Sequence, residues 1–205
     1  MFSRSVVSSF VLVGLVGTAT QASINIDFSR ITSNSSTNVA GQFTATVSNP
    51  TVNTVEFLFR NTAVVQSSIS EIYFDVDNVF AGAAALVQVG TNFSTGGANP
   101  SNLPAGNTIN PAFVANVVFS ADAVGNPSVG IDQSTDSLRM RFTLASGVTY
   151  QQVVNAISSG DLRLGLHVRS IGGNGQSDSF VNVVPTPASI AVLGFAGIAG
   201  ARRRR

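Results

Sequence analysis

The chain reads as an all-β fold, an antiparallel β-sandwich carrying one short helix, and three observations predict it. Apolar and polar residues alternate strictly in segment after segment, the period-2 signature of strands with one buried and one wetted face. Asn-Pro steps and Gly-rich clusters punctuate those segments, as turns between antiparallel strands require. The sequence has 14 phenylalanines and no tryptophan, and most of the phenylalanines fall on the face that the alternation turns inward.

Taken in order, Ile24, Ile26 and Phe28 face one way while Asn25 and Asp27 face the other. Phe43, Ala45 and Val47 alternate with Thr44, Thr46 and Ser48, and Val55, Phe57 and Phe59 with Glu56 and Arg60. Ile72, Phe74 and Val76 alternate with Glu71, Tyr73, Asp75 and Asp77. Phe113, Ala115, Val117 and Phe119 make a further set, followed by Leu138, Met140, Phe142 and Leu144 between Arg139, Arg141 and Thr143. Leu162, Leu164, Leu166 and Val168 alternate with Arg163, His167 and Arg169, and Val181 with Val183 closes the series. Two facing sheets with alternating strands suit a sandwich.

One helix interrupts the strands, over about 149–159. Thr149 is placed to cap it, and Gln152 three residues on completes a capping box. Tyr150, Val153, Val154 and Ile157 fall at helical spacing, and Gly160 stands where a C-terminal cap belongs. Residues 90–110, rich in Gly, Ser, Asn and Pro, read as a long surface loop, open to mobility or to carrying a binding site.

Composition excludes several kinds of chemistry. With no cysteine there is no thiol nucleophile, disulfide or cysteine metal site. Residues 23–183 contain six arginines and no lysine against ten acids, a net charge of −4, so no basic stripe exists to bind nucleic acid. His167, placed outward between Arg163 and Arg169, has a poor setting for a general base, and no Gly-x-Ser-x-Gly elbow is present. Glu71, Asp75 and Asp77 line the outward side of one strand. Asp75 and Asp77, about 6.7 Å apart along a strand, admit a calcium ion with Asn78 adding a ligand, or else the acids pair with Arg139, Arg141 or Arg163 on neighbouring strands. A glycosidase or stacking lectin is disfavoured by the absence of tryptophan and the presence of only two tyrosines. The composition therefore points to a body that is not an enzyme and needs no cofactor, with calcium or extracellular polysaccharide as the alternative ligand.

The two ends differ from the body. Arg4 followed by an apolar run over 5–17, then Thr20 and Ala22 at −3 and −1, forms a signal peptide over 1–22 that signal peptidase would cut after Ala22. Cleavage after Ala19 and an uncleaved anchor are the alternatives. At the other end Pro185, Thr186 and Pro187 precede an apolar run over 188–201, about 21 Å long as a helix. Gly194, Gly197 and Gly200 recur along it, and Arg202, Arg203, Arg204 and Arg205 follow. The positive-inside rule keeps those four arginines in the cytoplasm and the body outside.

Motif, glycine-spaced apolar helix and arginine cluster together resemble a PEP-CTERM sorting signal over 184–205, with Thr186 where that family usually has Glu. Within the body, Ser70-Glu71-Ile72-Tyr73-Phe74-Asp75 and Gly160-Asp161-Leu162-Arg163-Leu164-Gly165-Leu166-His167-Val168 resemble segments that recur in the same exported proteins. So does Ser170-Ile171-Gly172-Gly173. The resemblance implies recognition of the tail by an exosortase, a membrane transpeptidase that cuts near the Pro motif. It implies passage through the inner membrane of a bacterium with a Gram-negative-type envelope, and delivery to the cell surface or extracellular matrix. It brings a fold expectation and a sorting route, and no activity.

Overall fold

A computed structural model describes residues 22–125 and 127–184. The expected signal helix and C-terminal apolar helix, the motif Pro185, Thr186, Pro187 and the four terminal arginines fall outside the described residues. The alternating segments become strands: β1 (Ile24–Arg30), β2 (Phe43–Ser48), β3 (Thr54–Asn61), β4 (Ser68–Asp75), β5 (Ala85–Val89), β6 (Phe93–Thr95), β7 (Ala121–Ala123), β8 (Ser137–Thr143), β9 (Arg163–Ile171) and β10 (Gln176–Asn182). All pairings are antiparallel, in the order β5-β8-β3-β2-β1-β10-β9-β4-β7-β6.

One strand joins the two halves of this sheet. The first part of β1 pairs with β2 (Ile24 opposite Val47), and the second part with β10 (Phe28 opposite Asn182). The halves therefore face each other as parts of one nearly closed ten-stranded sheet. At the open seam, β5 and β6 approach through a side chain: the Gln88 amide donates to the Phe93 carbonyl at 3.1 Å and accepts from the Phe93 N–H. That amide stands in for a missing rung of the ladder and blunts one edge.

Between the halves lies the phenylalanine core. All eleven phenylalanines among the described residues are buried. Phe57 of β3 meets Phe74 of β4 edge-on at 4.9 Å, Phe74 meets Phe142 of β8 at 5.1 Å, and Phe43 of β2 meets Phe180 of β10 at 5.1 Å. Phe80 stacks flat on Phe142 at 4.1 Å. Edge-on and stacked pairs of this kind contribute about 0.5–1.5 kcal/mol each beyond the area they bury.

The helix α1 (Tyr150–Ser159) forms as its caps dictate. Thr149 Oγ1 accepts from the Gln152 N–H at 3.3 Å, Gln152 Oε1 accepts from the Thr149 N–H at 2.8 Å, and Gly160 closes the helix at φ +82°. Tyr150, Val153 and Ile157 are its buried face.

Three sequence expectations change. The set from Phe113 to Phe119 is not a strand. Asn116 caps a 3₁₀ turn at Val117–Phe119, which sends Phe113 and Phe119 into different clusters before β7 begins. In β10 the residue facing the main core is Phe180, while Val181 faces the opposite way and Val183 lies beyond the strand, half exposed. Finally, residues 90–110 are no free loop. Phe93–Thr95 is β6, and Ala98 and Leu103 are buried against the outer face of β4, β9 and β10 with Tyr73, Phe113 and Val181. The sheet half containing β4 is thus covered on both sides.

Replacing Thr149 by Ala removes the cap acceptor and is expected to lower stability by about 1 kcal/mol. A urea melt would show this as a lower midpoint at unchanged slope.

Candidate functional site

Of the chemistry-bearing residues that the sequence singles out, Glu71 and Asp75 sit on β4 and His167 on β9, and the cover over 96–113 bears on their state. Outward alternation on β4 leads Tyr73 under that cover rather than into solvent; Glu71 is 1 % exposed and Tyr73 fully buried. The Tyr73 hydroxyl donates to the Pro100 carbonyl at 2.9 Å, and burial, with Glu71 and Asp122 nearby, drives its pKa well above the ordinary tyrosine value. Asn102 ties the cover to itself, donating to the Phe113 carbonyl at 3.0 Å and accepting from the Ala115 N–H at 2.9 Å.

The acids meet cations across the strands. Glu71 stands opposite His167 on β9, with Glu71 Oε2 2.7 Å from His167 Nδ1, and its other oxygen binds Arg169. His167 is therefore not an exposed residue between two arginines. Its side chain is 12 % exposed and lies against a carboxylate on the neighbouring strand. Asp75 pairs with Arg163, as the cross-strand alternative anticipates. Arg163, expected on an outer polar face, is buried. It also donates to the carbonyls of Pro111 (2.7 Å) and Ala112, and its guanidinium lies over the Phe113 ring at 5.3 Å. Arg139 and Arg141 serve a different acid: both grip Glu56, at 2.7 and 2.6 Å. Burial alone would raise the Glu56 carboxyl, but the bonds and charges of Arg141 and Arg139 outweigh it and hold it below its ordinary value.

This arrangement redraws the acidic face. Glu71 is withdrawn into the interior and Asp75 is occupied by Arg163, which leaves Asp77 and Asn78 exposed beyond the end of β4. Asn78 adopts the left-handed conformation at φ +57°. Among the described residues no group of three or more His, Asp or Glu side chains converges as a metal site would.

Further acids escaped the sequence reading, among them half-buried Asp122 and the buried Asp136 and Asp178. Asp122 of β7 stands opposite Glu71, accepts from the Asn99 N–H, and is pushed above the ordinary carboxylate range by burial and by the Glu71 charge. Asp178 of β10 binds Thr32 Oγ1 at 2.7 Å and the N–H groups of Asn34 and Ser35, which orders the turn after β1. Neither sits in a motif. The signal that was available is Gly165, a glycine in mid-strand between Leu164 and Leu166. It faces the cover: a Cβ there would lie 3.0 Å from both Leu103 Cδ2 and Phe113 Cζ.

Both ends of the described chain meet at α1. The Tyr150 hydroxyl lies between the carbonyls of Val47 (3.0 Å) and Ala22 (3.2 Å), so the expected signal-cleavage residue is packed against the first turn of the helix. At the other end Val183 N–H donates to the Asp27 carbonyl at 2.8 Å, and the Val184 side chain lies in contact distance of the position a Cβ on Gly160 would take. No helix among the described residues is long and apolar enough to cross a membrane. Comparison with protein-family models, curated proteins and solved structures gave no match to this chain.

Two measurements check this site. Gly165→Val would force the cover outward and is expected to cost about 1–3 kcal/mol in a chemical melt. Asp122→Asn keeps an oxygen for the Asn99 N–H and removes the charge. Because the folded-state pKa of Asp122 is raised, its favourable contribution is present below the unfolded value and is lost as pH rises through the folded one. The variant is therefore expected to melt higher than the parent at neutral pH, with the gain gone at about pH 3, below the ordinary value of 3.8.

Proposed function

We propose that the chain is an exported, exosortase-sorted protein of the cell surface or extracellular matrix, with no enzymatic activity of its own. The observation that carries this reading is the order of parts after the body. Val183 makes the body's last backbone hydrogen bond, and within two residues come Pro185, Thr186 and Pro187, then the apolar run 188–201 and Arg202, Arg203, Arg204 and Arg205. A membrane-sorting tail joined directly to a folded body suits a cargo protein. On this reading signal peptidase removes residues 1–22, and the apolar run stalls in the inner membrane with its arginines inside. An exosortase-like transpeptidase then cuts near Pro185–Pro187 and passes on the body, a β-sandwich in outline.

The body's interior supports a cargo role. The groups that acid–base chemistry would use are committed to one another: Glu71 to His167 and Arg169, Asp75 to Arg163, Glu56 to Arg139 and Arg141. Such pairs hold strands and cover in register.

Mass spectrometry of the extracellular protein tests the proposal. The expected product starts at Ser23 and ends near Pro185–Pro187 in cells that have the sorting enzyme. In cells lacking it, the tail is retained and the protein pellets with membranes. Detection of intact Arg202, Arg203, Arg204 and Arg205 on the extracellular protein from both strains would overturn it.

A further inference from the structure

We infer that, while the chain is still tethered by its tail, the α1 pole of the body is held against the outer leaflet of the membrane by the shortness of the link between Val184 and Ala188. The inference rests on the sorting reading above and adds an orientation to it.

The pole is well defined. Leu144 N–H donates to the Asn53 carbonyl and Ala145 N–H to the Val79 carbonyl, both at 2.9 Å, so the β2–β3 turn, the β4–β5 link and the lead-in to α1 share one end of the sheet. Both chain ends leave from that end: Ala22 beside Tyr150, and Val184 beside Gly160. Four residues from Val184 to Ala188 span at most about 14 Å when fully extended. Headgroups occupy roughly 6 Å of that on each side of the hydrocarbon. The remainder is at most about 8 Å, reached only with Ala188 at the outer hydrocarbon boundary; it is less than the 10–12 Å diameter of one helix with its side chains, so nothing folded fits between α1 and the bilayer.

Electrostatics adds little attraction at this pole: Arg163, where β9 begins, is paired with Asp75 and its side chain is 10 % exposed. Residues 49–53, 76–84 and 144–162 contain no arginine or lysine and two acids, Asp77 and Asp161. The exposed side of α1 offers Gln151, Gln152, Asn155 and Ser159. An anionic leaflet attracts basic segments and has nothing here to hold. Apposition is therefore imposed by the tether alone, and lengthening the tether should abolish it.

The sequence contains no cysteine, which permits a clean labelling test. Asn155→Cys marks the pole, and Val64→Cys, at an 82 % exposed position beyond the far end of β3, marks the opposite end. Spheroplasts lacking the sorting enzyme are treated with a bulky, membrane-impermeant maleimide. With the tether at its native length, Asn155→Cys is expected to react roughly tenfold more slowly than Val64→Cys. Inserting about fifteen Gly/Ser residues between Val184 and Pro185, which adds roughly 20 Å of mean reach, should bring the two rates together. So should detergent extraction. Equal rates at native tether length, in protein that pellets with membranes, would overturn the inference and leave the sorting proposal standing. Protein that does not pellet with membranes would overturn the sorting proposal, and the orientation with it.

Discussion

The ring of phenylalanines between the two halves of the sheet is the constraint on which the structure depends. Phe74 touches Phe57 and Phe59 from one half-sheet strand, Phe142 from the next, and Phe80 from the link that follows its own strand. A sheet of ten strands does not hold that many rings against one another if it stays open. It must fold, and β1 is where it does, by pairing first with β2 and then with β10. Exposed edges follow from that fold, and the chain treats them locally: the Gln88 amide bonds both backbone groups of Phe93 where strands no longer pair.

Covering one half of the sheet a second time has a different physical character. The cluster of Tyr73, Ala98, Leu103, Phe113 and Val181 is small, and polar groups surround it. Burying Glu71 there costs desolvation, which its charged hydrogen bond to Arg169 offsets. Arg163 is satisfied by a carboxylate, two carbonyls and the face of Phe113 together. Removing one partner from such a set leaves a buried charge unpaired, so these residues constrain how β4, β9 and the cover can be arranged. This is a structural use of residues that, read along the chain, look like candidates for chemistry.

Legibility in the sequence followed the same division. The inward faces of β1, β2, β3, β8 and β9 were readable from alternation, and α1 from its capping box and its terminal glycine, because these signals are local. The outer cover was not. Alternation assigns a polar residue in a strand to solvent, yet Tyr73 is under protein because a segment some 30 residues later folds over it, and Glu71 is buried beside His167 and Arg169. His167 was judged from its neighbours on the same strand, Arg163 and Arg169, whereas its partner Glu71 lies across the ladder at a register that a bulge between Ile69 and Glu71 shifts. Strand β5, with the sequence Ala-Leu-Val-Gln-Val, shows no alternation to read because it is largely exposed and pairs on one side, with β8. Gly165 was the one local mark of the cover. It reports a close approach without naming what approaches.

The geometry of the ends bears on why a body of this kind suits its place in the chain. A sheet whose first strand is central, with its last strand beside it, brings both ends to one pole. Here Val183 pairs back onto Asp27 of that first strand, and Ala22 and Val184 lie at the two ends of α1. If, as proposed, the body is linked to a membrane first by its leading end and later by its trailing end, it can fold without turning over between the two events. The same pole carries Asp77 and Asp161 and no basic residue in its loops, so on the sorting proposal the attachment would be mechanical and would end when the link is cut. The ionic groups that would resist such release are already paired: Arg139 and Arg141 with Glu56 on the flank of the sheet, Arg163 at the edge of the pole with Asp75, and Arg169 with Glu71.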